Sequence, residues 1–386
     1  MKGRAGAPKI PFADAKSRPR NMKKISTLLL AIAVFSLGWI GSAQAQESED
    51  GWNWSGDFRL RFERSDEFNN DVDSTRDRYR SRLRFRFGGD YAFNETVKIG
   101  ARLVTGDSGN SNSTHEDVGG GDDYFGSFNV SLDRLYMNYN PEWAQGTWFQ
   151  FGKFGNPFQK NPVWSGFVWD GDVQPEGVAF GRDEGTFSWT VGEYVLDENS
   201  SGTETLMTVA EVRMASVQGF GLSVALYDYD NNVDSILIVQ DDPESYGNLS
   251  SETAFESDFT IFNAIGSYRM NKLIFALEYM KNLGANTDNA LVEDTGYAAG
   301  FSYQLDDTNK VYYQYADIGN DSILADFAQD DLPSDLGSGW AGNIIGWKHD
   351  LGDNMQANLW MMAVTDSAHE DAADDYRIRL DFNLKF

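Results

Sequence analysis

The stretch RYRSRLRFRF, Arg78 to Phe87, carries an arginine at every second residue, with Tyr79, Ser81, Leu83, Phe85 and Phe87 between them. Side chains repeat with period two only in a β-strand, so Arg78, Arg80, Arg82, Arg84 and Arg86 share one face and the apolar residues share the other. Along that face the cations recur at about 6 to 7 Å. Such a strand cannot lie in a dry core, because unpaired buried charge is heavily penalised. One face must meet water or carboxylates while the other meets an apolar medium.

The same two-sided design closes the chain. In YRIRLDFNLKF, Tyr376 to Phe386, the residues Tyr376, Ile378, Leu380, Phe382, Leu384 and Phe386 alternate without error with Arg377, Arg379, Asp381, Asn383 and Lys385. Near residue 54, Trp54, Gly56, Phe58, Leu60 and Phe62 alternate with Ser55, Asp57, Arg59, Arg61 and Glu63. Further clear segments run from Val97, Leu135, Thr147, Phe187, Phe220, Tyr297, Val311 and Met355, and weaker ones lie near Val178, Val209, Phe262, Phe275 and Ile344.

The joints alternate in length. Short ones occur at NETV, NPEW, GRDEG, VQGF, RMNK, LDDTNK and HDLGDN, and long acidic ones rich in Gly, Ser and Asn lie between them. Strands of about ten residues joined alternately by tight turns and long loops predict an all-β, transmembrane, antiparallel up-and-down barrel. We count sixteen strands, and the weaker segments leave fourteen or eighteen open. The short turns should face the periplasm and the long acidic loops the outside.

An arginine facing lipid at the bilayer midplane costs roughly 2 to 4 kcal/mol. The five-arginine edge therefore faces inward. Closure would set Arg377 and Arg379 beside Arg59 and Arg61, followed by the arginine strand, Lys98, Arg102 and Arg134, as one basic wall along a hydrated lumen. The plain alternative is that these cations pair with inward carboxylates and plug the barrel. Sixteen strands enclose more space than side chains fill, which favours the channel.

The chain begins with a different kind of segment. Lys23 and Lys24 precede ISTLLLAIAVFSLGWI, and Ala43, Gln44 and Ala45 supply a small-x-small site, the three regions of a secretory signal peptide. Residues 1–45 are read as an extension and signal peptide cleaved after Ala45, with Met22 an alternative start, and 46–386 as the barrel. The first 45 residues hold eight of the 32 basic residues and one of the 59 acidic ones, so the net charge of −27 becomes −34 for the remainder. That surplus argues against nucleic acid as a partner. Cysteine is absent, which excludes disulfides and thiolate metal sites, and no cofactor or metal site is expected.

Enzymatic chemistry on a barrel would need a base, usually histidine, beside a nucleophile. His115 and His369 fall in predicted acidic loops and His349 in a predicted periplasmic turn, so the chain is not read as an enzyme. DYDNNVD, Asp228 to Asp234, lacks the Gly and distal Glu of a calcium loop and reads as a solvated acidic loop. A soluble carbohydrate-binding β-protein would need an apolar interior, opposite to the inward arginines.

Phe154 to Gln174, FGNPFQKNPVWSGFVWDGDVQ, is too aromatic to leave in water. It is expected to fold into the barrel and narrow it, with Asp170, Asp172 and Glu176 facing the basic wall; packing over the mouth or at a subunit contact is the other reading. Gly152 and Lys153 with Asn156, Pro157 and Phe158, then Trp169, Asp170, Asp172 and PEGV at Pro175 to Val178, together with LDRLYMNYNP at Leu132 to Pro141, resemble the putative porin family of Gram-negative outer membranes. The resemblance implies a passive outer-membrane channel for small hydrophilic solutes and ions, surrounded by outer-membrane lipid and lipopolysaccharide. Similarity to sixteen-stranded porins implies a homotrimer. The terminal Phe386 resembles the signal read by the outer-membrane assembly machinery.

Overall fold

The computed structural model describes residues 51–386 except 70–73, 107–108, 110, 121–125, 199–203, 231–233, 235–245, 252–253, 330, 333–335, 353 and 367–374. The proposed signal segment and His369 lie outside the described residues.

The strands are β1 (Trp52–Asn69), β2 (Ser74–Ala92), β3 (Val97–Thr105), β4 (Glu116–Asp117), β5 (Val130–Tyr139), β6 (Thr147–Lys153), β7 (Glu176–Asp183), β8 (Phe187–Asp197) and β9 (Thr205–Val217). They continue as β10 (Phe220–Tyr229), β11 (Thr260–Met270), β12 (Leu273–Asn282), β13 (Thr295–Gln304), β14 (Asn309–Ile318), β15 (Trp340–Gly352), β16 (Met355–Asp366) and β17 (Asp375–Lys385). Each pairs antiparallel with its chain neighbour, except that β3 pairs directly with β5, while the two-residue β4 adds only to β2. β1 also pairs with β17, from Asp57 opposite Lys385 to Asp66 opposite Tyr376, and this closes a ring of sixteen. The fourteen- and eighteen-strand alternatives therefore fall away.

All seven short joints lie between consecutive ring strands at one end, where β1 also begins and β17 ends. At VQGF both central residues, Gln218 (φ 51°) and Gly219 (φ 90°), are left-handed, the backbone that lets a two-residue turn follow the strand twist. His349, expected in a turn, instead lies on β15, since the pairing of β15 with β16 extends to Gly352. Its Nδ1 is 2.9 Å from Asn309 Oδ1 and its ring stacks on Trp347.

Facing follows the alternation. On β1 and β2, Phe58, Phe62, Tyr79 and Phe85 are exposed on the outer face, whereas Arg61, Glu63, Ser65 and Arg84 are buried inside. An outer aromatic belt marks the turn end, with Trp52 stacked on Trp54 at 4.9 Å and Trp54 on Phe87 at 5.3 Å.

The inner face departs from the expected pattern over half the ring. On β8 to β16 its loop-side residues are apolar and buried, among them Tyr194, Met207, Tyr227, Ile261, Met280, Trp340 and Met362. The reason is that two loops fold inward and pack on them. One is the aromatic loop 154–175; the other, 319–339, carries a short 3₁₀ turn at Ala325–Phe327 and buries Ile323, Leu324, Ala328 and Leu332. Where both strand faces are apolar the period-two signal fades, which is why the segments near Val209, Phe262, Phe275 and Ile344 read weakly.

Candidate functional site

The strand registers place the inward cations in rows across the wall. Arg59 lies between Asn383 and Arg84, Arg61 between Asp381 and Arg82, Glu63 between Arg379 and Arg80, and Ser65 between Arg377 and Arg78. Arg377 and Arg379 are thus opposite Ser65 and Glu63, rather than Arg59 and Arg61 as the sequence suggested. Like charges directly opposite are destabilising; the register still sets Arg59 opposite Arg84 and Arg61 opposite Arg82, but places Glu63 between Arg379 and Arg80 and Asp381 beside Arg61. Further round, Arg102 is opposite Arg134, and Lys98 opposite Asn138 near the turn end.

Most of these arginines hold carboxylates. Arg61 Nε is 2.7 Å from Asp381 and its Nη1 3.0 Å from Asp331, while Arg379 pairs with both Glu63 and Asp331. Arg80 Nε donates to Glu63 at 2.7 Å. Arg84 and Arg86 share Asp57, at 2.8 and 2.6 Å, and both also contact Asp172, at 3.5 and 3.0 Å. Arg82 and Arg78 meet Asp117, and Arg102 meets Asp133. Arg134 donates to Gln174 Oε1 at 2.7 Å, and Arg59 to Asn383 Oδ1 at 2.6 Å. The wall is a charge lattice rather than a purely basic surface. Trp360 underlies it, with its Nε1 donating to Asp381 and the Arg379 guanidinium 5.0 Å above its ring.

The loop 154–175 lies against the inner wall on β8 to β12. Phe158 packs edge-to-face on Tyr194 and Tyr227, and Trp169 stacks on Phe327 of the second loop at 5.0 Å. Gln159 N donates to Glu211, and the Asn161 amide donates to Glu278 Oε2 at 3.1 Å, with Asn263 donating to the other oxygen. Of the three acids named for this loop, Asp172 meets Arg84 and Arg86. Asp170 Oδ1 accepts the backbone N–H of Asp172 and shapes the loop itself. Glu176 pairs with Lys153; the two are opposite each other on β6 and β7 and share the outward-facing parity of Leu135, so both lie off the lumen. The expectation that Glu176 faces the wall fails because β7 already begins there and turns it outward.

Burial pushes the Asp172 carboxyl up, but Arg84 and Arg86 outweigh it and hold the group below its ordinary value. The same balance, set by Arg379 and Arg61, holds Asp331 well below the usual carboxylate range. His115 is also pushed down, which for a base favours the neutral form: burial and then Arg61 and Arg84 hold its imidazole well below the usual histidine value.

Two features are not legible in the sequence. The facing of Asp57, Glu63 and Asp381 follows from parity with the arginines on β1 and β17, but which arginine each holds depends on register. Asp331 had no such signal, although the apolar run Ile323 to Ala328 in its loop was a hint of inward packing. At the turn end the lattice opens into a cavity of about 1080 Å³, bordered by Asp57, Arg59, Arg84, Arg86, Lys348 and Lys385 among others.

A family model described as putative porin matches residues 43–231. Among solved structures, Pseudomonas putida OprB superposes with a TM-score of 0.58 at 11% identity, covering 87% of this chain and 94% of that one. A triple mutant of the Rhodopseudomonas blastica porin gives 0.52 at 14% identity, covering 87% and 100%, and Salmonella typhi OmpF in complex with daunomycin gives 0.53 at 11%, covering 87% and 97%. At these identities the likeness is one of fold. No curated protein matches the sequence.

Proposed function

We infer, starting from the chain's membership of the putative porin family through residues 43–231, that it works as an outer-membrane porin in which small hydrophilic solutes and ions diffuse passively along the charged wall. The observation that carries this reading is the large cavity at the turn end, bordered by ionised side chains of a closed sixteen-strand ring. Charged residues at the mouth of a wide barrel raise local solute concentration and bias ion entry.

In this reading the inward residues Arg59, Arg61, Arg78, Arg80, Arg82, Arg84, Arg86, Lys98, Arg102, Arg134, Arg377 and Arg379 form one bank of the lumen. The loop 154–174 narrows it from the other side, with Asp172 meeting Arg84 and Arg86 at the bank. Direct contact weakens the idea of two charge banks separated by water, so selectivity would be set by the cations left over after pairing. The role is that of a channel and not of an enzyme. We further propose export through a cleaved leader ending at Ala45, insertion by the assembly machinery through Phe386, contact with lipopolysaccharide, and a homotrimeric state.

Planar-bilayer recording of the refolded residues 46–386 tests the reading. Stepwise conductance with a finite reversal potential in a KCl gradient is expected. A barrel that inserts yet passes no current would overturn it.

A further inference from the structure

The turn-end cavity contains cations that the lattice leaves without acids. Arg59 donates to the Asn383 amide oxygen, and no described carboxylate lies within ion-pair distance of it. Lys348 is opposite Lys310 in the β14–β15 register, and its Nζ lies 5.3 Å over the Tyr312 ring. Lys385 has no described ion pair and borders the same cavity. Like charges set directly opposite each other cost stability unless something neutral or negative intervenes.

The remaining surroundings are donors and acceptors of modest size. Asn358 is opposite Lys348, and Asn383 is opposite Arg59. Because the Asn383 oxygen is taken by Arg59, its amide nitrogen is left as a donor. The nearby acids are engaged: Asp57 holds Arg84 and Arg86, Asp350 accepts from Gln356 at 2.8 Å, and Asp381 and Asp172, which also act on Arg59, are held by Arg61 and by Arg84 with Arg86. Charge and donors therefore converge on this end of the lumen from β1, β15 and β17.

We propose that Arg59, Lys348 and Lys385, with the Asn383 amide, form a binding subsite for small multivalent oxyanions at the periplasmic mouth. The proposal rests on the porin reading for the direction of access, and it narrows the solute class to polycarboxylates or phosphate-bearing solutes. A guanidinium supplies a planar fork suited to carboxylate or phosphate oxygens, and two ammonium groups supply compact charge beside it. A neutral sugar would leave these cations unmatched.

Calorimetric titration of citrate, and separately of inorganic phosphate, into the detergent-solubilised barrel reads the subsite whether or not the protein conducts. Bilayer recording with citrate added on the turn side reads it in the channel, with glucose as the neutral control. We expect saturable citrate binding, block of chloride current by citrate and not by glucose, and about tenfold weaker binding for each of Arg59→Gln and Lys348→Gln. Arg59→Lys should retain most of the affinity. Tighter citrate than phosphate would mark carboxylate solutes, and the reverse order phosphate-bearing ones. Absence of binding for both anions, or equal binding in both Gln variants and the parent, would overturn the subsite. Binding without any KCl conductance would keep the subsite and overturn the channel.

Discussion

Arg61 Nη1 on β1 lies 3.0 Å from Asp331 Oδ1, joining two positions 270 residues apart and tying the loop 319–339 to the charged wall. Arg379 holds the same carboxylate from the neighbouring strand. Both arginines are buried, whereas Asp331 retains some solvent contact. Removing one partner of a buried pair costs about 3 to 5 kcal/mol; here the loss should be smaller, because Arg61 keeps Asp381 and Arg379 keeps Glu63. Asp331→Asn is expected to leave the barrel folded while loosening the loop. Single-channel recording should show added open-state noise, and an unchanged current trace would mean that the latch does not hold the loop.

The pH response of this latch has a definite sign. The folded-state carboxyl of Asp331 is held well below its ordinary value, so its contribution is present above the unfolded pKa of about 3.9 and is lost as pH falls through the lower folded value. Current noise should therefore stay flat from neutral pH down to about 4 and rise below it. In Asp331→Asn the noise should be present throughout. Noise in the parent that rises already near pH 6 would assign the event to another group.

Asp172 offers a test of what sets ion preference. It lies on Arg84 and Arg86, which also share Asp57, so two carboxylates serve two guanidinium groups. Asp172→Asn keeps the loop shape and leaves one positive charge over at this place. The reversal potential in a KCl gradient should move toward anions, and the double change Arg82→Glu with Arg84→Glu should move it toward cations. If neither substitution moves the potential, the lattice lies off the conduction path.

The parts of the molecule that were legible were those where lipid and water act on opposite faces of one strand. β1, β2 and β17 meet an apolar medium outside and charge partners inside, so Phe58 and Arg59, or Phe85 and Arg86, announce their facing by parity. Ile344 and Met362 are inward yet apolar, because folded loops rather than water cover them. No local pattern distinguishes that case from an ordinary buried segment. Register was equally hidden, since alternation says which face a residue takes and not which residue it opposes. The offset that sets Arg379 against Glu63 comes from matching charges between strands more than three hundred positions apart.

The chain end gives the last test, because packing and recognition can be separated there. Phe386 closes the β1–β17 seam: its backbone N–H donates to Gly56 O at 3.1 Å, and Gly56 N–H donates back at 2.8 Å. A Cβ on Gly56 would lie 2.6 Å from both the Phe386 ring and the Arg86 carbonyl oxygen. Gly56→Ala therefore displaces the ring without removing it, at a cost of about 1 to 3 kcal/mol from overpacking. If Phe386 is read as a signal in the unfolded chain, Gly56→Ala should insert at the parent rate and then melt at lower temperature, whereas deletion of Phe386 should lower insertion itself. In both variants the conductance of channels that do form should match the parent, since the ring stacks near Phe85 and Phe87 on the outer face. Pulse-chase insertion and the melting of the folded gel band separate the two effects. Normal insertion of the truncated chain would reduce Phe386 to a packing residue of the seam.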